Sequence, residues 1–93
     1  MLKKLDNKTV QGHGFMVTIP TIHEIRYSEK DRMLTVEIEG GARDDSDWYV
    51  YSETMRGWSS PHHLDPFSYE EKQRILRSIS ESLNVLGMKH QIV

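Results

Sequence analysis

A chain of 93 residues without cysteine has neither a disulfide framework nor a thiolate metal site to lean on, and halves of it would be too small to bury useful cores. Residues 1–93 are therefore expected to form a single domain held by packing alone, a composition that suits a reducing compartment. Twelve basic and fourteen acidic side chains leave a formal net charge of -2, so the overall field does not gather nucleic acid, and no window approaches the length of a membrane span.

The start of the chain, Met1-Leu2-Lys3-Lys4-Leu5, carries two lysines with no apolar run behind them, so no secretory leader is expected and a cytoplasmic location is. Phe15-Met16-Val17-Thr18-Ile19 alternates large apolar residues on one face and predicts a strand ending at Pro20. His23-Glu24-Ile25-Arg26-Tyr27 repeats the alternation, and Ser28-Glu29-Lys30-Asp31 has the composition of a hairpin turn. Leu34, Val36 and Ile38 then face inward against Thr35, Glu37 and Glu39 until Gly40-Gly41 breaks the run. One buried and one solvated face imply an antiparallel sheet.

Gly40 to Ser46 has a loop's composition, and Trp48-Tyr49-Val50-Tyr51-Ser52 favours another strand. Trp58 to Pro66 holds two prolines and little periodicity, which predicts an ordered irregular connection. Ser68-Tyr69-Glu70-Glu71 matches a capping box, in which the Ser68 hydroxyl accepts from the Glu71 N–H and the Glu71 carboxylate reaches back to Ser68. Behind it Ile75, Leu76, Ile79, Leu83 and Leu86 form one apolar stripe, and Gly87 closes the helix ahead of a last strand in Met88 to Val93. The expected fold is α+β: a small antiparallel-rich sheet of about five strands in the order β-β-β-β-α-β, with the helix packed on one face.

The histidines raise an enzyme reading, because His62-His63-Leu64-Asp65 gathers two imidazoles and a carboxylate. Neighbouring residues in extended chain point to opposite sides, however, and no helical H-E-x-x-H or comparable ligand spacing is present. A role in stabilising the loop or touching a partner is the simpler reading of His62 and His63. No nucleophile elbow and no phosphate loop occurs, so neither a cofactor nor a metal is expected.

The strand ending in glycines, the aromatic strand Trp48 to Ser52, the Trp58-x-x-Pro61-His62 connection and the helix opening Ser68-x-Glu70-Glu71-Lys72 together resemble the immunity protein family numbered seventy-four of bacterial polymorphic toxin systems. The resemblance covers about the last two thirds of the chain. It implies an antitoxin, not an enzyme, that binds the C-terminal domain of a cognate toxin, commonly a nuclease delivered by contact between cells, and occludes it without turnover. The acidic group Glu37, Glu39, Asp44, Asp45 and Asp47 is suited to steer a basic toxin, and Tyr49 and Trp58 to supply aromatic anchors. Each has a plainer reading. Surface carboxylates serve solubility, Trp48 is placed in the core, and Trp58 either anchors a partner or clamps its loop onto the sheet. Two other classes stand beside this one, a small histidine- or metal-dependent enzyme using His62, His63 and Asp65, and a ligand-binding regulatory module.

Overall fold

The computed structural model describes residues 2–40 and 47–93. Seven strands, β1 (Lys3–Asp6), β2 (Thr9–Gln11), β3 (Met16–Thr21), β4 (Glu24–Glu29), β5 (Arg32–Glu39), β6 (Trp48–Tyr51) and β7 (His90–Ile92), lie side by side in chain order in one sheet. The single α-helix among the described residues, α1 (Tyr69–Val85), falls between β6 and β7. The first six strands form an antiparallel meander, and β7 pairs parallel to β6. Parallel neighbours cannot be joined by a tight turn, and the segment containing α1 supplies the long crossover they need. The architecture is the expected α+β sheet with one helix, with two strands more than predicted.

The additional strands are the hairpin β1–β2. Val10 is its one buried residue, so alternation leaves almost no trace there. What bends it is local: the Asp6 carboxylate accepts the Lys8 N–H at 2.8 Å, and that bond holds the Asp6 carboxyl below its ordinary range. The β3 strand runs on through Pro20 to Thr21, where it was expected to stop. The register shifts between Thr18 and Thr21, and such an irregularity is where a strand tolerates a residue with no N–H to donate. Ser28 and Glu29 belong to β4, so the turn shrinks to Lys30-Asp31.

Inward residues of the central strands, Val17, Ile19, Ile25, Tyr27, Leu34, Val36, Ile38 and Val50, meet Ile75, Leu76, Ile79 and Leu83 of α1 in one core that also takes in Met55 and Trp58. Fully burying an aliphatic side chain of this size contributes about 1.5–3 kcal/mol, so this layer is what holds the helix to the sheet. Ser68 caps α1, its hydroxyl accepting the Glu71 N–H at 3.0 Å. At the other end Gly87 takes φ 76°, and Met88 and Gly87 donate to the Leu83 and Asn84 carbonyls, a pairing that closes a helix with a left-handed residue. One helix covers one face. The opposite face of the sheet carries no element over it among the described residues.

Candidate partner-binding site

Strand pairing decides which side chains share the uncovered face. Ile25 lies opposite Val36 and Tyr27 opposite Leu34 on the helix side, so the alternate residues Glu24, Arg26 and Ser28 of β4 and Met33, Thr35, Glu37 and Glu39 of β5 stand on the other. Register then places Glu24, Glu37 and Tyr51 in one row across the strands, with Glu39 opposite Tyr49. The five members of this end were not all legible at once: Glu37, Glu39 and Tyr49 come from the sequence, whereas Glu24 and Tyr51 join them only through register.

The electrostatics of this end are lopsided. Glu24 and Glu37 face each other directly, an arrangement that destabilises a sheet. Arg26 relieves Glu24 at 3.4 Å, while Glu37 makes no ion pair among the described residues. The Tyr51 hydroxyl donates to the Glu39 carboxylate, and that bond pushes the phenol above its ordinary range. A shallow groove of about 430 Å³ runs between His23, Glu37, Glu39 and Tyr51. The face therefore offers anionic and phenolic groups to an incoming surface, with Met16 and Met33 exposed farther along it.

The other expected site residues are distributed differently. Asp44 and Asp45, with the rest of residues 41–46, lie outside the described residues. Asp47 is used within the fold: its carboxylate accepts the Gln91 amide at 2.9 Å and lies 3.6 Å from the Lys89 ammonium, tying the start of β6 to β7. Of the two readings of Trp58, burial selects the clamp, because only 3% of the residue is exposed. Its ring packs edge-on to Phe67 and near Tyr27, and the Arg32 guanidinium sits 4.2 Å from its centre. The Trp58 ring thus anchors the irregular connection to the sheet.

Around that clamp is a network no periodicity announces. Glu29 accepts from the Tyr27 hydroxyl at 2.6 Å and from Arg74 at 3.2 Å, and Arg32 lies within 3.3 Å of it. Glu71 was expected to turn back to Ser68; its carboxylate instead lies 3.5 Å from Arg74 and 3.6 Å from Arg32, because two guanidiniums outcompete one backbone N–H. His62 lies 3.2 Å from Asp65 and 3.5 Å from Asp31. His63 is exposed and lines a different groove, so the three residues of the enzyme reading do not converge. Among the described residues no group of three or more histidines and carboxylates is arranged to hold a metal ion. An apolar cavity of about 210 Å³ between Ile19, Ile22, Trp48 and Met88 has one charged residue on its wall, Lys8.

Burial works to raise the Glu29 carboxyl, but the Tyr27 hydroxyl, Arg74 and Arg32 outweigh it and hold it below its ordinary range. Burial first, then the hydrogen bond to the Glu29 carboxylate, pushes the Tyr27 phenol well up. A carboxyl lower in the folded than in the unfolded chain adds stability that is fully present above the unfolded value, near 4.3, and disappears as pH falls through the folded one. Glu29→Gln is expected to cost about 1.5–3 kcal/mol at neutral pH and to flatten the acid side of the stability curve. Denaturant melts from neutral pH downward check this; equal acid slopes in both proteins would show that the network carries no linkage.

The family model described as Immunity protein 74 matches residues 16–93, which is the whole of the sheet and helix apart from the β1–β2 hairpin. Comparison with curated proteins and with solved structures gives no match.

Proposed function

The chain belongs to the Immunity protein 74 family, and from that membership we propose that it neutralises the C-terminal domain of a cognate bacterial toxin by one-to-one binding through the uncovered face of the sheet. No bond is made or broken in this reading. The observation that supports it best is the row Glu24, Glu37 and Tyr51 with Glu39 and Tyr49 beside it, on a face that the helix leaves open. Two carboxylates held directly opposite each other are costly in the free protein, and a basic partner surface relieves them on contact. Tyrosine, methionine and arginine are the residue types that protein interfaces favour, and the face carries all three in Tyr49, Tyr51, Met16, Met33 and Arg26.

A toxin that grips phosphates, such as a nuclease delivered between neighbouring cells, presents the complementary basic surface, and an acidic face competes with its substrate by charge. The proposed setting is the cytoplasm, where such a toxin meets its target. No helix among the described residues is long and apolar enough to cross a membrane. Residues 1–93 are proposed to act as one unit, since the strands on both sides of residues 41–46 share one sheet.

The test is calorimetric titration of the purified chain into the toxin domain encoded beside its gene, with toxin activity followed in parallel. One-to-one binding with activity extinguished at equivalence is the expected result. Full activity at a molar excess would end the proposal.

A further inference from the structure

Beside β5, on the flank of the uncovered face, the segment after β6 forms a groove of about 280 Å³ whose character is opposite to that of the acidic end. Its walls include Thr35, Arg56, Trp58, Ser59 and His63, and no aspartate or glutamate lines it. Arg56 is exposed and makes no ion pair among the described residues, whereas Arg26, Arg32 and Arg74 all do. His63 likewise makes no ion pair there. The hydroxyl of Thr54, also on the wall, is already used: it accepts the Glu37 N–H at 2.9 Å and donates to the Tyr51 carbonyl at 2.7 Å.

A second, independent observation concerns Trp58. Its indole N–H is buried with no acceptor among the described residues, an unsatisfied donor that folding leaves at a cost. A wall built from an unpaired guanidinium, an imidazole and hydroxyls, with Trp58 among its residues, is rich in donors and poor in charged acceptors. The missing component is an oxyanion. With one guanidinium in the groove and Glu37 and Glu39 on the same face, a singly charged planar group is matched in charge, and a dianionic phosphate is not.

We infer that the groove between Arg56, Trp58 and His63 is a carboxylate-binding subsite that takes an aspartate or glutamate side chain of a protein partner. The chemistry of the subsite stands on the free protein; only the partner's identity as the toxin rests on the function proposed above. Binding would then be two-signed, with the acidic end meeting basic residues and the groove admitting one acidic residue. Such mixed complementarity sets register and rejects partners that are merely basic.

The experiment titrates acetate, the smallest carboxylate probe, into the isotope-labelled chain at constant ionic strength balanced with chloride. The Trp58 indole resonance is assigned against Trp48→Phe. A saturable shift of the Trp58 N–H and Arg56 side-chain signals is expected, and the exposed-site variant Arg56→Gln should weaken it at least about tenfold with the remaining spectrum unchanged. A linear or absent shift, the same shift in Arg56→Gln, or tighter binding of inorganic phosphate than of acetate would overturn the carboxylate assignment. If acetate saturates the site and Arg56→Gln still binds the toxin domain as tightly as the unaltered chain, the toxin is not the subsite's partner. If neither protein binds the toxin domain while acetate still saturates, the function proposed above fails and the subsite stands.

Discussion

Trp58→Ala is expected to cost about 3–5 kcal/mol, the range for removing a buried aromatic ring, and to lower the melting temperature by on the order of 20 °C. The reason is the number of elements that converge on one indole. Trp58 belongs to the connection between β6 and α1, yet it is buried against Tyr27 of β4, Phe67 ahead of the helix, and the guanidinium of Arg32 at the start of β5. Truncation leaves a cavity and strips Arg32 of a cation–π contact worth about 0.5–2 kcal/mol. Trp58→Phe retains a ring at the site and should lose less than half as much. Thermal melts of the three proteins decide the matter; a shift of only a few degrees for Trp58→Ala would show that the connection folds without its clamp.

The second large effect is on association. Reversing Glu37 and Glu39 together, as Glu37→Lys with Glu39→Lys, is expected to slow binding to the toxin domain by about ten- to a hundredfold at low salt while leaving the fold intact. Both residues are exposed, and the inward faces of β5 are untouched by the change. Added salt should narrow the difference, because exposed charges beyond about 10 Å are screened at moderate ionic strength. Stopped-flow association at low and high salt measures it directly. Equal rates at low salt would remove this end of the sheet from the encounter surface, even if equilibrium binding persisted.

These expectations draw on features of uneven visibility in the chain. The helix was legible because its signals are local: Ser68 and Glu71 sit three residues apart at its start, Ile75, Ile79 and Leu83 repeat at its period, and Gly87 supplies the left-handed residue that ends it. The β5 strand was legible for the same reason, its burial alternating residue by residue. The β1–β2 hairpin was not, since a pair with one buried side chain leaves nothing for alternation to detect. The destination of Glu71 also escaped, because its guanidinium partners come from β5 and from one turn farther along α1.

The candidate site divides along the same line. Glu37, Glu39 and Tyr49 could be named because their outward orientation follows from the pattern of their own strands. Glu24 and Tyr51 could not be joined to them, since the row they share is a property of pairing between strands. Trp58 left two readings open because a tryptophan beside prolines has no periodicity to say where it faces; only the approach of Arg32, Phe67 and Tyr27 decides. Asp47 looked like one more surface acid, and its bonds to Gln91 and Lys89 depend on β7 returning beside β6 after the whole length of the helix.

The alternation in β5 has a consequence for how such a protein can change over time. Leu34, Val36 and Ile38 maintain the scaffold, and Met33, Thr35, Glu37 and Glu39, set between them, touch none of that interior. Two instructions are thus interleaved letter by letter in one short string, and either can be rewritten without editing the other. A lineage confronted with an altered adversary can exchange the outward letters one at a time and keep a foldable molecule at every step.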